Sequence, residues 1–421
     1  MKALQIKIFQ EELLMVMETN TSLSTEEMIQ ELYPEDYLGY AKRLTDGEVE
    51  VLYNLRKALE EEIQPVMADY WDKAEFPVQI YDLYRRVGIM NNSLLYEGRE
   101  GKETYGEIYN AFLFHELART DTSIATAYTI HRMAHTVVSQ GGNEEQKAYY
   151  LPKLENFELT GCFALTEPLN GSDIAKGLKM SARKENGKWI LNGEKYWIGA
   201  ANTADVIPVF ARDEADGEIK CFILSQETPG LETEVITRKM ALRPVQNCKI
   251  VLTDAEVEEK NLLPNIKGFG DVTRVFQGSR VDVGHIATGT AAGSLAATIK
   301  YAKEREQFGR PIGKFQLIQE KIAVMQTKVA ANIALSVTLA ENQEKGEFDT
   351  VNASLHKMHN ALNLRETVAL GREIVGGNGI DIDYGVGKFF ADAEAVYTYE
   401  GSHDINALIL SRDLLGMGAF V

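Results

Sequence analysis

The chain has 421 residues, 45% of them hydrophobic and 25% charged, which suits a globular protein of two or three structural units around a sizeable core. A formal net charge of −18 argues against nucleic acid as a partner, while leaving room for an anionic ligand held by a few local cations. The cysteines Cys162, Cys221 and Cys248 form neither a CxxC pair nor an even-numbered framework, so they are expected as unpaired thiols in a reducing compartment.

The first residues, Met1 to Lys7, soon meet Glu11 and Glu12, so the stretch reads as neither a signal peptide nor a basic transit peptide. No run of about 18 apolar residues suggests a membrane span, and the expectation is a soluble, cytoplasmic protein. The first 45 residues have no placed counterpart, but residues 1–160 as a whole read as helical. Glu48 to Met67 carries Val51, Leu52, Leu55, Leu59 and Ile63 at helical spacing, and Tyr109 to Thr120 continues with Phe112, Leu113 and Leu117. His131 and His135 stand at i, i+4 and could share a helix face. No third ligand accompanies them and the glutamate of HExxH is missing, so ordinary packing is the reading, as for His356 and His359, and no metal is expected.

Near residue 161 the period changes. Lys179 to Glu185 alternates, Asn186-Gly187 and Asn192-Gly193 have the composition of hairpin turns, and Val206–Arg212, Ile219–Leu224 and Lys249–Leu252 are short apolar runs, the first two separated by Asp216-Gly217. A small antiparallel β domain over 161–270 follows. It has no βαβ alternation and no GxGxxG after a strand, which argues against a Rossmann site. The helical period then returns in Thr290–Arg305, Gln316–Lys345 and Thr350–Val375, with alanine-rich faces suited to a bundle over 271–421. The expected fold is mainly α with a central β domain: N-terminal helical domain, antiparallel β domain and C-terminal four-helix bundle.

One carboxylate near the end of the chain occupies an unusual setting. Glu400 lies between Tyr399 and Gly401, and a helix signal follows directly: Ser402 as N-cap, Asp404 in the first turn, and Ile405, Leu408 and Ile409 at i, i+3, i+4. A side chain at such a loop-to-helix junction can be aimed into a cavity, where partial desolvation raises its pKa and strengthens it as a base. The plainer reading is one solvated acid among 62.

The stretch Tyr399-Glu-Gly-Ser402 resembles the Tyr-Glu-Gly-Thr/Ser signature of the acyl-CoA dehydrogenase family, whose order of domains is also the one expected here. The resemblance runs from about residue 50 to 420 and implies that Glu400 removes the α-proton of an acyl-CoA thioester bound beside FAD. Cys162 to Asp173 resembles the family's Thr-Glu-Pro-x-x-Gly-Ser-Asp loop, which implies FAD contacts from Phe163, Leu165, Thr166, Gly171 and Ser172, with Ser172 near the pyrophosphate or the CoA end. Tyr196-Trp-Ile-Gly199 resembles the segment against the isoalloxazine, placing Trp197, Ile198 and Gly199 there. Relatives mostly carry threonine or serine where this chain has Gly199, so a hydroxyl beside flavin N5 is absent. Arg305-Glu-Gln-Phe-Gly309 resembles the turn that reaches a neighbouring subunit's FAD, implicating Arg305, Gln307 and Phe308; a fork-shaped guanidinium suits a pyrophosphate. Glu373-Ile-Val-Gly-Gly377 resembles the segment meeting the adenine end of that FAD, implicating Glu373, Ile374, Gly376 and Gly377. Ser402 and Asp404 match cofactor-contacting positions, and Arg280, Gly401 and Ser172 match positions at the acyl-CoA site.

The wording Trp-Ile-Gly, Leu242 to Asn247 and Tyr-Glu-Gly-Ser-His-Asp-Ile-Asn is most similar to glutaryl-CoA dehydrogenases and plant short-chain acyl-CoA oxidases. Glutaryl-CoA dehydrogenases hold the distal carboxylate with an arginine where this chain has Ala125, so a neutral, short or branched acyl-CoA is expected as substrate. The family implies a homotetramer built as a dimer of dimers and an electron-transfer flavoprotein as acceptor. The alternatives are an oxidase passing electrons to oxygen, for which Met417 to Val421 offers no peroxisomal tripeptide, and a non-redox acyl-CoA-binding relative.

Overall fold

Residues 23–99 and 105–419 are described by the computed structural model; the N-terminal tract read for targeting signals and the last two residues of the C-terminal pentapeptide lie outside them. Helices α1 (Thr25–Leu32) and α2 (Asp46–Ala58) each open with a capping box, Ser24 with Glu27 and Thr45 with Glu48, which satisfies N–H groups that would otherwise be orphaned. The predicted helix from Glu48 to Met67 is interrupted. Leu59–Ile63 widens into a π turn and Gln64–Val66 tightens to 3₁₀, because Pro65 has no N–H to continue the ladder, before α3 (Met67–Lys73) resumes. After α4 (Ile80–Val87) come α5 (Glu107–Thr120), α6 (Thr122–Gly141) and α7 (Glu144–Glu155). Asp121 alone separates α5 from α6 and caps α6 by accepting from the Ser123 N–H at 2.8 Å.

The central sheet has six strands, β1 (Ser181–Glu185), β2 (Lys188–Gly199), β3 (Ile207–Asp213), β4 (Ile219–Leu224), β5 (Leu231–Val235) and β6 (Asn247–Glu258), in the order β4-β3-β1-β2-β6-β5. It is mixed, where the sequence pattern suggested a purely antiparallel sheet. β1 and β2 form the hairpin expected at Asn186-Gly187, and the chain then doubles back to lay β3 along the free edge of β1 in the same direction, through Ser181↔Arg212 and Ala182↔Asp213. The second dipeptide, Asn192-Gly193, is not a turn. It sits inside β2 at a bulge opposite β6, where Asn192 and Asp254 bond each other's side chains and Gly193, at φ 140°, lets Met180 pass close by.

The C-terminal region is built from three long helices, α8 (Phe269–Glu304), α9 (Gln316–Lys345) and α10 (Thr350–Val375), followed by α11 (Val386–Thr398) and α12 (His403–Leu415). α8 packs on α10 and α9 but also on α5 and α6. The two helical regions consequently share one apolar core, running from Leu52 and Leu113 through Ile286 to Leu364 and Val396, while the sheet has its own core with Val137, Phe210, Phe222 and Ile250. α9 contains an 18-residue window apolar enough by composition to cross a membrane, which qualifies the expectation that the chain has no such run. Its apolar residues Met325, Val329, Ile333 and Val337 are buried within the bundle.

Candidate active site

α11 ends at Thr398, Tyr399 is extended, and Glu400 (φ 55°) and Gly401 (φ 84°) follow in the left-handed region, reversing the chain into α12. Ser402 caps α12 by accepting from the Ile405 N–H at 3.3 Å, with Asp404 exposed in the first turn, as the local sequence signalled. A left-handed residue with a side chain is strained, so something must hold it. Two side chains do. Lys357 of α10 donates from Nζ to the carbonyls of Tyr397 at 2.9 Å and Gly401 at 2.8 Å. Asn406 of α12 donates from Nδ2 to Gly401 at 2.8 Å and Ser402 at 3.1 Å.

The Glu400 carboxylate accepts from Ser279 Oγ of α8 at 2.6 Å. Burial pushes its pKa above the ordinary carboxylate range, while the Ser279 hydrogen bond and the charges of Arg280 and Lys357 pull it down and Asp282 pushes it up. Arg280 has its Nε buried without a partner among the described residues. The Lys357 ammonium is pushed down to about 8 by burial, against the attraction of Glu400. On the far side Tyr399 places its hydroxyl 3.1 Å from Thr126 Oγ1 of α6.

A second group of the residues singled out in the sequence lies on and beside the sheet. Gly161 to Ala164 runs beside β3 through bridges to Val206 and Val209, burying Leu165 and placing Phe163 between Phe210 and Phe276, ring centroids 5.1 and 6.0 Å away. Thr166 accepts from the Tyr196 N–H at 2.8 Å, which ties this segment to β2. Glu167 is buried against Lys195 Nζ at 2.9 Å and accepts the N–H groups of Lys179 and Met180 at 2.7 and 2.9 Å. From this anchor the loop carries Gly171 and Ser172 into the open. Trp197, at φ 65°, stays 53% exposed, while Ile198 is buried beneath it. Gly199 has no free space: a Cβ there would fall inside Ile130 Cδ1 and 3.4 Å from Val245 Cγ1. Ile130 lies one turn beyond Thr126 on α6, so one helix backs both the Glu400 junction and the Trp197–Gly199 segment.

Arg305, Gln307 and Phe308 lie elsewhere. Arg305 caps the end of α8, about 38 Å along its axis from Arg280 at about 1.5 Å per residue. Gln307 sits in a two-residue hairpin and Phe308 is 93% exposed. Asn378 Nδ2 donates to the Tyr301 hydroxyl at 3.2 Å, one turn before Arg305, and so joins this corner to the end of α10. There Glu373 pairs with Lys321, Ile374 is buried, and Gly376 and Gly377 are exposed with nothing within 4 Å of a Cβ. The two motifs are thus brought to each other and kept apart from Glu400 of the same chain.

Sequence reasoning missed Ser279, Lys357, Asn406 and Ile130. Lys357 left a readable signal, since it falls on the buried stripe Ala353, Lys357, Asn360, Leu364, where a lysine is out of place. The histidines are engaged by the protein: His131 with the Leu154 carbonyl (2.9 Å) and the Gly161 N–H (3.2 Å), His135 with Glu155 (3.0 Å), His356 with Ser336 (2.9 Å), and His359 with Asn360 (3.0 Å). The three cysteines are buried and unpaired.

Family models of the acyl-CoA dehydrogenase N-terminal, middle and C-terminal domains match residues 45–158, 162–255 and 267–415 in succession. The chain is 33% identical over 384 residues to an acyl-CoA dehydrogenase of Bacillus subtilis (strain 168), covering 89% of this chain and 99% of the relative. It is 31% identical over 375 residues to the acryloyl-CoA reductase (NADH) of Anaerotignum propionicum, covering 87% and 94%. A glutaryl-CoA dehydrogenase from Mycobacterium smegmatis, solved in complex with FADH2, superposes with a TM-score of 0.84 at 28% identity, over 92% of this chain and 99% of that one.

Proposed function

Since the chain belongs to the acyl-CoA dehydrogenase family, a family of oxidoreductases, we propose that it oxidises a short or branched, neutral acyl-CoA to the trans-2-enoyl-CoA with FAD as cofactor. The observation that carries this reading is the Glu400 junction: a carboxylate whose pKa is raised by burial, held at a strained turn against α6, the helix that also packs on Gly199.

The residues present fit a flavin. Trp197 is a large aromatic left half-exposed, and Gly171 is open to a ligand, with nothing within 4 Å of a Cβ there. Arg305, Gln307, Phe308, Gly376 and Gly377 form a second open corner that suits the FAD of a neighbouring subunit. FAD, when bound, supplies the acceptor for the hydride leaving the β-carbon. Glu400 takes the α-proton. That proton is acidic enough only if the thioester oxygen is stabilised as charge develops on it, and the Glu400 backbone N–H, which makes no backbone hydrogen bond among the described residues, is free to donate there. Ser172 and Arg280 are assigned to the CoA side.

Ala125 is buried beside Thr126 in α6, with no cation in place of an arginine, so a distal carboxylate would be desolvated unpaired at a cost of several kcal/mol. The dehydrogenase is favoured over an oxidase because Ile130 fills the space that Gly199 leaves, and an electron-transfer flavoprotein is proposed as acceptor. The test is anaerobic bleaching of the purified yellow protein by a panel of acyl-CoAs. Butyryl-CoA or a branched analogue should bleach it at least about tenfold more efficiently than glutaryl-CoA, and peroxide should form in air at a few percent of the rate with an artificial acceptor. A protein that no acyl-CoA bleaches would contradict the reading.

A further inference from the structure

We propose that Lys357 is a positioning residue for the base: its ammonium fixes the turn that aims Glu400. This rests on Glu400 being the base. Lys357 is fully buried in the first third of α10, yet its only hydrogen bonds among the described residues run to the carbonyls of Tyr397 and Gly401, which bracket Glu400 on both sides. A buried lysine that merely satisfied its own charge would be expected against a carboxylate; this one is spent on two neutral carbonyls of the one strained turn. Asn406 grips the Gly401 carbonyl from the opposite side, so the left-handed pair Glu400-Gly401 is clamped between α10 and α12. That orientation also sets the direction of the Glu400 N–H, and the clamp therefore acts on proton removal and on the oxygen-binding contact together.

The charge acts separately from the hydrogen bonds. Arg280 and Asp282 face Glu400 from α8, Lys357 faces it from α10, and on α12 His403 stacks on Tyr397 with ring centroids 4.7 Å apart. Arg280 and Lys357 favour the carboxylate form and Asp282 opposes it, so removing the Lys357 charge raises the pH at which Glu400 ionises.

Flavin reduction by butyryl-CoA would be followed against pH in FAD-loaded wild type, K357M and K357R, with flavin content measured in each. In K357M the limiting rate should fall by about a hundredfold with little change in the butyryl-CoA concentration for half saturation, and the acid limb should move to higher pH. K357R keeps the cation but not both carbonyl contacts, so its acid limb should stay in place while its rate falls. A purely structural lysine predicts lost flavin or lost fold with the rate per bound flavin and the acid limb unchanged, and that result overturns the proposal. Should K357M fail to fold, K357R decides: an acid limb displaced upward, or an unaltered rate, overturns it. Glu400→Gln is run alongside. Its retention of activity would sink the assignment of the base, whereas an inactive E400Q beside an unaffected K357M sinks only the role of Lys357.

Discussion

Glu400 is poised between burial, which favours its neutral form, and the hydroxyl and cations that favour its charge. The sign of each influence makes Ser279 a sensitive probe. Ser279→Ala removes a 2.6 Å hydrogen bond to the carboxylate, so the pKa should rise further and the acid limb of flavin reduction should move to higher pH. A limb that stayed in place would mean that Ser279 does not act on the base. The local part of this site was legible in sequence: an N-cap, an anion in the first turn and a glycine are neighbours in the chain. Its partners were not, because Ser279 lies 121 residues from Glu400 and Lys357 lies 44 from Gly401, and no local pattern encodes such pairings.

At the scale of elements, α9 and α10 were legible to their ends because apolar residues recur at helical spacing along each, Met325, Val329, Ile333 and Val337 in α9 and Ala353, Ala361, Leu364 and Val368 in α10, despite buried polar residues between them. α8 was read only from Thr290. The stretch before Thr290 buries Ser279, Asp282, His285 and Thr288, polar residues that erase the apolar stripe although they are among its most enclosed positions. The Asn192-Gly193 dipeptide misled in the opposite way, since turn chemistry also suits a bulge and only pairing with β6 decides between them. The loop proposed to meet the flavin hangs on an element-level device that sequence did not show, the Lys195–Glu167 pair between β2 and the loop, at 0% and 6% exposure. Removing one member of a buried pair leaves the other uncompensated, so Lys195→Met should cost about 3 to 5 kcal/mol in urea unfolding and weaken FAD retention. A loss below about 1 kcal/mol would show that the two backbone N–H groups on Glu167 suffice without the lysine.

For the whole molecule, the order of helical, sheet and helical regions was legible from the changes of period, but the merging of the two helical cores was not. It depends on α8 being long enough to reach from the sheet to the far end of the bundle. That length also keeps Arg305 and Gly376 remote from Glu400 in the same chain. If both corners serve FAD, they serve the cofactors of two subunits, and the active protein is at least a dimer and is proposed as a dimer of dimers. Light scattering of the holo-protein should give a multiple of 47.0 kDa; an active species at the monomer mass would contradict the shared site. The central claim, that Glu400 of this assembled protein is the base of an FAD-dependent acyl-CoA dehydrogenation, is tested most directly by anaerobic flavin reduction in Glu400→Gln. The amide is nearly isosteric but cannot accept the α-proton, so the variant should keep its fold, its FAD and its affinity for acyl-CoA while reduction slows by more than about a thousandfold. Reduction within about tenfold of wild type would place the base elsewhere and contradict the account.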